Sequence, residues 1–244
     1  RRFHEPWLAY EKAHLPKGAK QYVHFLSEAS AYRYLTTWQR EAADLFAEEG
    51  LVTFAHGMNR ENYTWASDIQ DMHSTTRFYP EEISRWHAVG AEVVSYAEPF
   101  PGSENPMLFR RKPGLWMYKF GFDGHMLHGF TNYRIPFNEF AEDVAGDGNY
   151  RNFTMAYPMR DGLINTLALE GYREGMDDVK WATALVKLAR VHRESADVDV
   201  RREARRALAW FDGCDCEKGD PTRIRRGIQR RILLLGDAIG RAAK

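Results

Sequence analysis

The stretch QYVHFLSEAS, residues 21–30, runs an apolar, β-prone segment straight into Glu28. A carboxyl group normally stays in water, so Glu28 is either a solvated residue just past a strand or a group held at a site. Parallel α/β sheets collect ligands and catalytic groups at the carboxyl ends of their strands. The same grammar recurs along the chain. His56 and Asn59 follow LVTFA, Asp71 and His73 end SDIQDMH, Tyr96 and Glu98 follow AEVVSY, and Asn132 and Tyr133 follow GHMLHGF. Each candidate strand thus delivers polar side chains to one face, which weighs a site evenly against a set of plain connections.

A glutamate beside apolar strand residues and aromatic rings can have its pKa raised enough to protonate a leaving group at neutral pH. Glycoside hydrolysis requires that acid and a second carboxylate, or a substrate acetamido group in its place. Asp71 and Glu98 are the candidate partners for Glu28. Ser27, His56, His73, Tyr96, Asn132, Tyr133 and Tyr150 are candidates to line a sugar site, and Trp65 adds an aromatic face; Trp116 reads as core. His56, Asp68, Asp71 and His73 also include ligand types for zinc. A D-x-H pair on a strand puts both side chains on one face, but nothing in the spacing fixes the remaining ligands. No cofactor is expected.

The elements that must position these residues alternate. Strands are expected at 21–26, 51–55, 67–73, 91–96 and 124–130, separated by helical patterns. A stripe of Tyr34, Trp38, Ala42, Leu45 and Phe46 ends at Gly50. PEEISRWHAVG opens with Pro80 and closes at Gly90, and PGLWMYKFGFDG opens with Pro113 and closes at Gly121. Strand-helix alternation near 30 residues indicates βαβ units and a parallel sheet. Five strands correspond to the later part of a (β/α)8 barrel, about strands 4 to 8, expected over residues 1–162 with a long loop at 131–160. A helical segment is expected over 163–244. An open barrel exposes strand edges, so the N-terminal remainder of a larger chain or a partner subunit is expected to complete it.

Composition narrows the classes. Hydrophobic residues make up 44 % and aromatics 14 % of the 244 residues, too many for disorder, and no apolar run reaches the roughly 18 residues of a membrane span. Lys plus Arg equals Asp plus Glu at 34 each, which gives the whole chain no field for nucleic acid. From Arg201 to Lys244 there are 12 basic and 6 acidic residues, but RREARR and RIRRGIQRR interleave no aromatics for base stacking, and a solvated helical face is expected. Cys214 and Cys216 form a lone C-x-C, half of a structural zinc set, and read as a loop.

At TLALEGYREGMDDVKWATAL, residues 166–185, the pattern E-x-x-R-E-G-x-x-D is carried by Glu170, Arg173, Glu174, Gly175 and Asp178. It resembles the C-terminal helix of a group of bacterial glycoside-hydrolase-like (β/α)8 barrels distantly related to glycoside hydrolase family 123. GAEVVSYAEPFPGSENPMLFRRKPGLWMYKFGFDGHMLHGF looks like the seventh strand, an R-R connection, a helix and the eighth strand of those barrels, and GDGNYRNFTMAYP like their late active-site loop. The resemblance covers about residues 20–190. It implies a glycan or polysaccharide substrate. In the family 123 relatives the fourth strand ends in an Asp-Glu pair, the glutamate acting as general acid/base and the aspartate orienting the 2-acetamido group. The resemblance therefore implies that Glu28 is the acid/base and that Ser27 replaces the aspartate. Serine carries no charge to stabilise an oxazolinium-like intermediate. Glu170, Arg173 and Asp178 are expected to be structural, forming ion pairs and caps that hold their helix in place.

Overall fold

The computed structural model describes residues 5–14, 16, 22–26, 35–57, 61–76, 79–96, 105–127, 130–132 and 153–243. Helix α1 (Glu5–His14) precedes β1 (Tyr22–Leu26), α2 (Leu35–Glu48), β2 (Val52–His56), α3 (Glu61–Ala66), β3 (Met72–Thr75), α4 (Pro80–Ala88) and β4 (Glu92–Tyr96). Then come α5 (Pro106–Arg110), a π-helical segment (Arg111–Trp116), α6 (Met117–Phe120) and β5 (Gly124–Met126). These five strands form one curled parallel sheet in chain order, β1-β2-β3-β4-β5. The fold class is α/β, followed by C-terminal helices. Packing divides the chain into two compact units, Arg1–Thr75 with Arg85–Val93, and Thr76–Ser84 with Val94–Lys244. The boundary expected at residue 162 falls inside the second unit.

One local device sets up three strands. Gly50, Gly90 and Gly121 adopt φ of 70°, 87° and 90°, a left-handed conformation that glycine reaches without a Cβ penalty. The amide that follows each glycine donates back to the helix it leaves: Leu51 N to Phe46 O at 3.0 Å, Ala91 N to Trp86 O at 3.1 Å and Phe122 N to Met117 O at 3.2 Å. Leu51, Ala91 and Phe122 are buried by the turn. Each helix is thereby stopped and the chain turned into β2, β4 or β5.

In the first unit Ala55, Met72 and Val93 are buried strand residues, and Ala91, just ahead of β4, is buried as well. The Trp86 ring of α4 stacks on His73 at 4.2 Å and meets Tyr63 edge-on at 5.4 Å, and the Arg85 guanidinium lies 4.1 Å over the Tyr63 ring.

In the second unit the expected loop at 131–160 contains structure. Strand β6 (Thr131–Asn132) pairs antiparallel with β7 (Phe153–Thr154), and β8 (Ala156–Met159) forms a hairpin with β9 (Gly162–Asn165). The helical segment therefore begins later than expected. Thr166 caps α7 (Leu167–His192), its hydroxyl accepting from Leu169 N at 3.1 Å and donating to Met155 O at 2.8 Å. Asp197 caps α8 (Val198–Asp212), and Asp220, ahead of Pro221, caps α9 (Pro221–Ala242). Leu185, Ala189, Val200, Ala204, Phe211, Ile224, Ile228 and Leu235 form the core of these three helices.

The helix expected to open at Pro113 opens at Pro106, with the Asn105 side chain accepting from Leu108 N at 3.1 Å. Pro113 falls inside the π-helical stretch. A proline there removes a donor and displaces the preceding turn, and Gly114 breaks out of helical geometry at φ −87°, ψ −124°.

Candidate functional site

The parallel sheet gives the strand ends a defined side. In the first unit His56 closes β2 and pairs in register with Ser74 of β3, while Ala55 pairs with His73. Alternation along a strand therefore puts His56 and Ser74 on one face and His73 on the other. His56 Nδ1 lies 3.5 Å from Ser74 Oγ, and both residues are buried. This pair sits at the carboxyl side of the sheet, as expected of His56.

His73 is corrected in position. It is the second residue of its strand, not the last, and its imidazole is stacked under Trp86 with Nδ1 3.2 Å from Gln70 Oε1. Burial, and secondarily the neighbouring His56, lowers its pKa to about 3. It is a neutral imidazole packed beneath a helix.

Asp71 is corrected more sharply. The expected strand at 67–73 would have put it near a carboxyl end; strand β3 starts at Met72, so Asp71 stands at the amino-terminal edge. Its Oδ2 accepts from Thr53 N at 2.8 Å, and its own amide donates to Thr53 O at 3.1 Å. Thr53 lies three residues before His56, a separation of about 10 Å along a strand. The physical reason is that the turn at Ser67–Ile69 and the Asp71–Thr53 bridge form the entry to β3. The same edge carries a 340 Å³ hollow lined by Asp44, Asp68 and Asp71, in which Asp68 is held by Arg40 through two hydrogen bonds of 2.5 and 3.0 Å. The Asp68 carboxyl is accordingly held below the usual range, first by that hydrogen bond. Among the described residues no group of three or more His, Cys, Asp or Glu side chains is arranged to hold a metal ion.

In the second unit Tyr96 closes β4, half-buried and in register with Met126. Next to it Ser95 is fully buried, with its hydroxyl unpartnered among the described residues, and pairs in register with His125. Asn132 belongs to the β6-β7 pair and not to the five-stranded sheet. Ser27, Glu28, Asn59, Glu98, Tyr133 and Tyr150 lie outside the described residues, as does the ring of Trp65. Glu28 is two residues past the end of β1. Trp116 is half-buried in the π-helical segment, edge-on to Phe120 at 6.0 Å.

On α7 Asp178 ties its helix to α5 and α9, as expected, whereas Glu170 and Arg173 pair with each other at the exposed surface of the same helix. Asp178 is wholly buried, and its carboxylate accepts from Arg110 Nε at 2.7 Å and Nη2 at 3.2 Å and from Arg225 Nε of α9. Glu174 meets Arg225 at 2.7 Å, and Arg173 pairs with Glu170 at 2.8 Å. A Cβ on Gly175 would fall 2.6 Å from Arg110 O, and one on Gly171 would fall inside the Pro106 carbonyl. These glycines let α5 lie backbone to backbone on α7.

A 550 Å³ cavity in this unit, lined by Pro113, Met117, Asp123, His125, Met176 and Lys187 among others, is not foreshadowed by any motif in the sequence. Its only sequence trace is Pro113 within the helical pattern, beside the kink at Gly114. His125 Nδ1 lies 3.5 Å from the Tyr172 hydroxyl, whose pKa is raised by burial.

Comparison of the sequence with protein-family models and with curated proteins finds no match. Among the described residues no helix is long and apolar enough to cross a membrane.

Proposed function

We propose that the protein is a glycoside-hydrolase-like α/β protein acting on a glycan, with Glu28 as the general acid/base. The observation that carries the reading is the run of β1 to β5 in one parallel sheet in chain order, with β1 ending two residues before Glu28 and with His56 and Tyr96 closing β2 and β4. That is the side on which such sheets gather their chemistry. The E-x-x-R-E-G-x-x-D resemblance adds the substrate class and the barrel as the parent architecture.

In this reading Glu28 donates a proton to the glycosidic oxygen as the bond to the anomeric carbon breaks. A carboxylate or the substrate's own acetamido oxygen stabilises the positive charge that develops, and Glu28 then removes a proton from the attacking water. With Asp71 on the amino-terminal edge, Glu98 is the remaining candidate for the second carboxylate. Ser27 favours a second reading, a carbohydrate-binding protein on a hydrolase scaffold, because a serine cannot supply the charge of the aspartate it replaces.

Hydrolysis of aryl glycosides with and without a 2-acetamido group, by the intact chain and by Glu28→Gln, separates the two. Release of aglycone that falls at least about 100-fold in the variant supports catalysis. Glycan binding without release in either protein supports the second reading.

A further inference from the structure

Helices α8 and α9 line a cleft of 300 Å³ with Glu203, Arg206, Ala207, Arg230, Arg231 and Leu234. Three guanidiniums against one carboxylate leave it cationic. Arg206 is engaged by Glu203, Nη1 to Oε1 at 3.0 Å. Among the described residues, no carboxylate pairs with Arg230 or Arg231.

Arg231 is built in rather than draped over the surface. Its guanidinium carbon lies 3.6 Å from the Trp210 ring centroid, and Nη1 donates to Gly227 O at 3.1 Å. The indole in turn lies on the backbone at Gly227, where an added Cβ would come within 2.5 Å of the Trp210 ring. Stacking and one carbonyl therefore fix the plane of the guanidinium while part of its donor fork stays unused. Burial holds the Arg231 pKa below its ordinary value, and the adjacent Arg230 charge pushes the same way. A half-buried cation with no anionic partner is costly. A bound anion would remove that cost.

We propose that this cleft binds the phosphate group of a small soluble phosphate ester or diphosphate through Arg206, Arg230 and Arg231. Planar forks recognise phosphate oxygens two at a time, and the volume suits one phosphate and a small organic body. Glu203 competes for Arg206 and sets the threshold for binding. The neighbouring Leu233 and Leu234, 68 % and 44 % exposed, make an anionic lipid surface the rival source of the same headgroup chemistry.

The test is titration calorimetry of the intact chain with inorganic pyrophosphate, repeated with Arg230→Gln and Glu203→Gln. Arg230 is exposed, so its replacement leaves the fold intact, and an unchanged melting curve verifies this. Saturable binding is expected that weakens as salt rises, weakens about tenfold in Arg230→Gln and tightens about threefold in Glu203→Gln. Equal affinity in Arg230→Gln, an absence of binding, or binding confined to vesicles of phosphatidylcholine with phosphatidate would each overturn the proposal.

Discussion

Asp178 of α7 and Arg110 of α5 meet through two hydrogen bonds, 2.7 and 3.2 Å, at a site where the Asp178 side chain exposes nothing to solvent. Arg225 closes the triad from α9. Removing one partner of a buried pair strands the other charge, at a cost of about 3 to 5 kcal/mol. Asp178→Ala is therefore expected to lower Tm by roughly 6 to 20 °C in a domain of this size. Arg173→Ala, which removes only exposed pairs, is expected to leave Tm unchanged. Thermal unfolding followed by circular dichroism checks both.

The helical glycines divide into two kinds. Gly171 leaves no room for a Cβ against the Pro106 carbonyl, whereas Gly236, in the interior of α9, has nothing within 4 Å. Gly171→Ala is expected to destabilise by about 1 to 3 kcal/mol through forced separation of α5 and α7. Gly236→Ala is expected to stabilise by about 0.5 to 1 kcal/mol, because alanine restricts the unfolded chain and suits a helix. Opposite shifts in the urea midpoint at constant slope are the readout.

His73 ties stability to pH. Its folded pKa, about 3, lies below the ordinary value of 6.5. Between those values the unfolded chain binds a proton that the folded one does not, so stability is lost as pH falls through this window. From pH 7 to pH 5 the expected loss is about 2 kcal/mol, and His73→Gln should abolish most of this pH dependence. Denaturant titrations of both proteins at the two pH values measure the difference.

Cys216 is buried and Cys214 half-buried. Burial pushes Cys216 up to about 11 and raises Cys214 as well. Since the thiolate is the reactive species, Cys216 of the native protein at pH 7.5 is expected to label with a disulfide reagent only as fast as the C-terminal helices open, and Cys214 to label first. Rapid labelling of two thiols before any loss of helical signal would contradict this.

The strands at 22–26, 52–56 and 92–96 are legible because each is a short apolar, β-prone run, and the latter two follow a glycine turn that stops the preceding helix. The E-x-x-R-E-G-x-x-D helix was equally legible as a structural element, since its charged residues recur at three- and four-residue spacing. Asp71 was misplaced because the backbone entry to β3 depends on Thr53, 18 residues away, and no local pattern encodes that bridge. The same shift of the strand from 67–73 to 72–75 moves His73 from its last residue to its second. The β8-β9 hairpin was hidden by exposed residues: Gly162–Asn165 shows solvent on every side chain, so its apolar Leu163 and Ile164 read as the start of an amphipathic helix.

The crossing of α5 and α7 has a consequence for how the chain can be divided. Pro106 and Arg110 meet Gly171 and Gly175, and the Asp178 triad adds α9, so the attachment across this crossing does not depend on the covalent link through residues 133–152. A chain opened between those positions would yield two complementing fragments that elute together and melt together.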